Sequence, residues 1–314
     1  MYQVTSPILF LIFNRPKETT VLFNAIKAVK PKKLYVAADG PRNNGKDDAS
    51  CKETRAIINQ VDWDCEVITL FREQNLGCGK AVSGAITWFF ENEEEGIILE
   101  DDCLPSDDFF RFVDAMLIKY RVDDRIGHIC GCNFQDGIKR SNADYYYSKL
   151  THVWGWASWR RVWSGYDFKM NGLEEVIATD VLAGLTNSKL SKKMIYNAFR
   201  RTKAGEIDTW DYQYFFLNQV NARLSVIPNF NMISNIGFNA DGTHTFNANS
   251  PMANVSFKEM PELIVSPSFI SQDRIADEYT LTKETPSSFE FYKGSLRQGL
   301  RTILIGLKLY TPRK

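Results

Sequence analysis

The 314 residues predict an α/β protein with a mostly parallel central sheet, and three observations carry that reading. Apolar runs and helix-periodic runs alternate over the first third of the chain. The apolar runs are continuous, as in strands covered on both faces. One of them, Ile97–Leu99 after Gly96, ends abruptly in Glu100, Asp101 and Asp102. Ligands of open parallel sheets bind beyond the carboxyl ends of the strands, which is where these acids stand. Three adjacent carboxylates repel one another unless positive charge answers them. A divalent cation shared with phosphate oxygens is the expected answer.

The elements follow in order. Ile8–Phe13 reads as a strand, Asn14-Arg15-Pro16 turns the chain, and Thr20–Val29 has helical spacing through Leu22, Phe23, Ile26 and Val29. Pro31 closes that helix, and Leu34–Ala38 forms a second strand ending at Asp39-Gly40. Pro41 to Ala49 is a polar loop with the turn signal Asn43-Asn44-Gly45. Lys52–Gln60 reads as helix, Glu66–Phe71 as strand and Gly79–Phe90 as helix. This βαβαβαβ order implies right-handed crossovers. Ser106 is placed to N-cap a helix running to Tyr120, with Asp107 and Asp108 opposing its dipole. Ile126–Cys130 reads as another strand, Leu173–Arg201 as one or two helices, Thr209–Asn221 as helix and Leu224–Pro228 as a short extended piece. Asn229–Asn249 reads as a polar loop.

Basic and acidic residues number 38 each, so no global field favours nucleic acid, and a phosphate site has to be local. Hydrophobic residues make up 44% of the chain, but no stretch approaches the ~18 consecutive apolar residues of a bilayer span. The N-terminus lacks the pattern of a signal peptide. The six cysteines fit no metal spacing and read as free, buried thiols in a reducing cytoplasm. Asn75-Leu76-Gly77-Cys78-Gly79-Lys80 enters a helix and is expected to offer backbone N–H groups to phosphate, although it lacks the P-loop pattern.

Four features then occur together: Phe13-Asn14-Arg15, Asp39-Gly40, Glu100-Asp101-Asp102 followed by Leu104-Pro105-Ser106-Asp107-Asp108-Phe109-Phe110, and Trp154-Gly155-Trp156 before Thr209-Trp210-Asp211. From Ser6 to His244 the chain resembles the GT-A glycosyltransferases, most of all the inverting N-acetylglucosaminyltransferase I group and its bacterial relatives. The resemblance implies a Rossmann-like nucleotide-sugar half over residues 1–130, an acceptor-binding and catalytic half over 131–250, and a C-terminal extension over 251–314. Asp102 would bind Mn²⁺ or Mg²⁺ bridging the diphosphate of a UDP-sugar donor such as UDP-GlcNAc. Glu100 and Asp101 would contact sugar and ribose hydroxyls, Asp39 the base imide and Arg15 the base or the diphosphate, with Asn14 also in the donor-binding set. Lys80 would help neutralise the diphosphate or shape the base site, Trp156 would help wall the donor-sugar pocket, and Asp211 would deprotonate the acceptor hydroxyl.

Each assignment has a plainer counterpart. Asp39 can cap a turn with Gly40, Arg15 and Asp211 can be surface charges, and the tryptophans can simply fill a core. A lid over the donor at Gly237–Thr245, including His244, stands level with an ordinary loop. Ser295–Tyr310 sets Leu296, Leu300, Ile303, Leu304 and Leu307 on one stripe beside Arg297, Arg301 and Lys308. That pattern suits either a helix on an anionic membrane surface or one packed on the domain. The expectation is therefore a cytoplasmic enzyme, with peripheral contact at the inner membrane face as an alternative, acting on a glycan or lipid-linked glycan. A sugar-1-phosphate nucleotidyltransferase competes, but that class opens with a Gly-rich basic loop that Phe13-Asn14-Arg15-Pro16 does not supply. A carbohydrate-binding scaffold without turnover is the third reading.

Overall fold

A computed structural model describes residues 2–237 and 255–284. In chain order its elements are β1 (Ile8–Ile12), α1 (Pro16–Val29), β2 (Lys33–Ala38), α2 (Asp48–Ala56), β3 (Glu66–Phe71), α3 (Cys78–Asn92), β4 (Glu95–Glu100) and β5 (Cys103–Pro105). They continue with α4 (Asp107–Tyr120), β6 (Ile126–Cys130), β7 (Tyr145–Ser148), β8 (Trp156–Trp159), α5 (Arg160–Trp163), α6 (Leu173–Ala178) and α7 (Lys189–Lys203). The last are α8 (Asp211–Val220), β9 (Leu224–Pro228), β10 (Ile233–Asn235) and α9 (Arg274–Glu284).

Eight strands form one sheet in the order β3-β2-β1-β4-β8-β6-β9-β7, the α/β architecture expected from the sequence. β3, β2, β1 and β4 are mutually parallel, and β8 runs antiparallel between β4 and β6. Every residue of β1 is buried, which explains its unbroken apolar run, whereas β3 lies at the sheet edge with Val67 exposed. The register pairs Leu11 with Glu100 and Ile12 with Ala38. Phe13–Arg15, Asp39 and Glu100–Asp102 therefore leave the sheet along one edge. The main apolar core runs from Val4 to Ala276, with smaller clusters around Leu182 and Leu281 and around Leu173 and Phe199.

Several boundaries differ from expectation for identifiable reasons. α1 starts at Pro16 rather than Thr20, because proline is preorganised for the first helical position and has no N–H to leave unpaired. The expected helix at Lys52–Gln60 begins at Asp48 and tightens into a 3₁₀ turn over Ile57–Gln60. Ser106 occupies the N-cap of α4, yet its hydroxyl caps no amide; its backbone N–H donates to Met232 O at 2.9 Å. Within the expected loop Asn229–Asn249, Ile233–Asn235 pairs antiparallel with Cys103–Pro105 directly after the acidic triplet. Strands of three residues show too little alternation to be read from sequence. All six cysteines are free thiols, but Cys65 and Cys78 are only half-buried. Among the described residues no helix is long and apolar enough to cross a membrane. His244, the rest of the expected lid beyond Gly237, and Ser295–Tyr310 lie outside the described residues.

Candidate active site

The C-terminal ends of β1, β2 and β4 open onto a cavity of about 640 Å³. Its lining brings together Asn14, Arg15, Asp39, Glu100, Asp101, Asp102 and Asp211. Seven of the nine residues singled out from the sequence thus converge on one place.

The acidic triplet sets the electrostatics. Burial raises the carboxyl pKa values of Glu100 and Asp101 above the ordinary range, and repulsion from Asp102 adds to the shift; Arg15 opposes it in both. Arg15 Nη1 lies 3.0 Å from Asp102 Oδ2 and 3.3 Å from Asp101 Oδ1. One guanidinium thus faces three carboxylates, and the excess negative charge suits a hard dication. Among the described residues, however, no three His, Cys, Asp or Glu side chains are arranged to hold a metal ion. The donor set fits Mn²⁺ or Mg²⁺ only where substrate oxygens complete the coordination, the usual way Mg²⁺ is bound beside phosphates.

Asp39 lines the cavity, but its oxygens accept the N–H groups of Leu76 (3.1 and 3.0 Å) and Gly77 (3.2 Å). It therefore holds the loop before α3 rather than capping a turn with Gly40. Asp208 takes the next two amides, with Oδ2 accepting from Cys78 at 2.9 Å and Oδ1 from Gly79 at 3.0 Å. The amides expected to meet phosphate are thus filled by the chain's own acids. Gly77 has φ +80°, and a Cβ there would lie 2.6 Å from Asp208 Oδ2, so glycine permits both the turn and the approach. Asp211 begins α8; its Oδ1 accepts from Thr209 Oγ1 at 2.5 Å and from its neighbour Tyr212 N at 2.8 Å.

Asn14 contributes indirectly. Its amide donates to Asp47 Oδ1 at 2.9 Å, and Asp47 also receives Arg42 Nε at 2.6 Å. The Arg42 hydrogen bond holds the Asp47 carboxyl low, at about 2. Arg42 lies over the Phe13 ring, 5.2 Å from its centroid, and lines the cavity.

Two expected residues lie elsewhere. Lys80 is exposed on α3 and does not line the cavity, whereas Cys78, Ala81, Val82 and Ala85 do. Those four share one helical face at spacings of three and four residues, and Lys80 falls off it. Trp156 is fully buried, paired with Ile98 in the sheet and stacked on Trp210 at 5.6 Å. It is a core residue; Trp154, two residues earlier and half-buried, lines the cavity instead. Sequence reasoning did not single out Arg42, Arg72, Asp208 or, as a lining residue, Trp154. Arg72 lines the cavity with its pKa lowered by burial and its Nη1 donating to Ala81 O at 3.1 Å. Its only sequence signal was its place one residue past a strand.

No family model and no curated protein matches the chain. Among solved structures, it is similar to HddC from Yersinia pseudotuberculosis with a TM-score of 0.34 at 11% identity, over 55% of this chain and 86% of that one. A mannosyltransferase from Pyrobaculum calidifontis, in complex with GDP-Man and Mn²⁺, gives 0.37 at 12% identity over 70% of this chain and 73% of that one. A UDP-glucose pyrophosphorylase complexed with UDP-glucose gives 0.30 at 11% identity over 53% and 82%. Similarities at this level say nothing of what this chain does.

Proposed function

We propose that the protein is a divalent-metal-dependent glycosyltransferase of the GT-A kind, moving a sugar from a nucleoside diphosphate to an acceptor hydroxyl with inversion. One observation carries the reading: the acids that end β4 and the acid that begins α8 share a single cavity, although more than a hundred residues separate them in the chain. Asp102 would hold the metal at its carboxylate. When bound, a dication supplies Lewis-acid stabilisation of the charge that develops on the leaving diphosphate. Arg15, Arg42 and Arg72 add positive charge to an otherwise acidic lining, and Glu100 and Asp101 present oxygens to sugar or ribose hydroxyls.

Asp211 would take the acceptor proton as the sugar transfers. An alcohol is a poor nucleophile at neutral pH, and a placed base is worth roughly 10²–10⁴-fold. A single base with a single displacement gives inverted stereochemistry. The donor on this reading is a UDP-sugar such as UDP-GlcNAc, the acceptor is a glycan or lipid-linked glycan, and a peripheral membrane contact would run through residues 295–310. The short passage from β1 into α1, only Phe13–Arg15, favours this reading over a nucleotidyltransferase, whose phosphate loop would need more chain there.

Calorimetry with UDP, with and without Mn²⁺, tests the reading. Metal-dependent binding that disappears in Asp102→Ala supports it. Binding indifferent to the metal, or turnover of UTP with a sugar 1-phosphate, overturns it.

A further inference from the structure

The guanidinium of Arg15 occupies the carboxylate that a metal would need. Its Nη1 reaches Asp102 Oδ2 at 3.0 Å and Asp101 Oδ1 at 3.3 Å, and the three side chains are only 15%, 14% and 10% exposed. Asp102 has little freedom to turn away. Its Oδ1 accepts from Cys103 Sγ at 3.3 Å, its carbonyl accepts from Ile236 N at 2.8 Å, and Gly237 packs so closely that a Cβ there would overlap Oδ2. The Arg15 backbone is equally fixed, since its carbonyl accepts Thr19 N at 3.0 Å in the first turn of α1. What can move is the arginine side chain.

An arginine fork matches phosphate oxygens bidentately. A diphosphate in this cavity would therefore offer Arg15 a second oxyanion partner, and Asp102 would be released to a cation. We propose that Arg15 is an internal counter-cation that suppresses metal binding by the free protein and hands Asp102 to the metal when a nucleoside diphosphate arrives. The absence of a three-ligand cluster among the described residues fits this order, because the phosphates have to supply the missing oxygens. Metal and nucleotide then raise each other's affinity by the same factor, as linkage requires. The inference rests on the reading of Asp102 as the metal ligand.

Electron paramagnetic resonance counts free Mn²⁺ directly and separates the two ideas. The full chain is titrated with Mn²⁺ alone as wild type, Arg15→Ala, Arg15→Gln and Arg15→Ala/Asp102→Asn, each checked for a cooperative melt. Wild type is expected to bind Mn²⁺ weakly. Either neutral variant should bind at least ~10-fold more tightly, a difference of about 1.4 kcal/mol, and the double variant should lose that gain. Arg72→Gln removes a positive charge from the same cavity, and its effect should stay below about threefold, since this salt-screened field effect is not a contact. Arg15 variants that bind Mn²⁺ no better than wild type, or no better than Arg72→Gln, overturn the proposal. A second titration adds UDP. Wild-type Mn²⁺ affinity should rise strongly and that of Arg15→Ala far less. If UDP changes neither protein while the Mn²⁺-only gain persists, the donor reading fails and the suppression of metal binding by Arg15 stands.

Discussion

The Asp208 carboxylate accepts the Gly79 backbone N–H at 3.0 Å, joining two parts of the chain that the sheet alone does not connect. Asp208 lies three residues before Asp211, and Gly79 lies just past the loop that Asp39 holds through Leu76 and Gly77. Two carboxylates thus pin one short loop, Asp39 from the end of β2 and Asp208 from the segment that carries the candidate catalytic base. The helix N-terminus favours that negative charge.

Removing this tether should misplace Asp211 without emptying the donor site. Asp208→Ala is expected to lower kcat by at least ~10-fold, since small displacements of reacting groups are costly. UDP affinity should change less than about threefold, and Asp208→Asn should recover part of the loss. Steady-state kinetics beside calorimetry measures both.

Asp211→Asn keeps the size of the side chain and its hydrogen-bonding to Thr209 while removing the base. Transfer should fall by at least ~10²-fold with UDP binding retained. Undiminished transfer would locate the base on another residue.

The two tryptophans flanking Gly155 should respond oppositely. Trp156→Ala opens a cavity beside Trp210 and Tyr214 and should cost about 3–5 kcal/mol of stability, read from denaturant unfolding. Trp154 is half-buried and edge-on to Phe134, so Trp154→Ala should cost less stability than Trp156→Ala and weaken substrate binding.

Acid should destabilise the fold through His128. Burial depresses its pKa from 6.5 to about 3; its Nε2 donates to His152 O at 2.8 Å, and its ring stacks on Trp156. Burial also depresses His152, to about 4. The unfolded chain takes up protons near 6.5 that the folded chain refuses. The contribution of these rings to stability is therefore complete above 6.5 and is lost as pH falls towards 4 and then 3. Unfolding free energies at pH 7 and 5 should differ by less in His128→Gln than in wild type.

Much of the fold was readable because its signals are local. Continuous apolar runs marked β1, β2 and β4, and the abrupt change from Leu99 to Glu100 located the working edge of the sheet. What escaped depends on orientation and long-range pairing. Residues 154 and 156 are equally tryptophan, and only the register with Ile98 shows which one the sheet buries. Lys80 sits one residue from a lining position, and the rotational phase of α3 decides against it. Nothing in the composition of residues 103–105 and 233–235 announces that they pair.

The amino-acid sequence by itself determined the alternation of strand and helix from β1 to β4 and the place where acids gather, because hydrophobic period and strand length are written in neighbouring residues. Tertiary structure alone decided which of those acids stay available. Asp39 and Asp208 are taken up by backbone amides 37 to 130 positions away, and Arg15 answers Asp101 and Asp102 across 86 and 87 positions. Electrostatic partnership depends on distance through space, which a linear chain does not record until it folds.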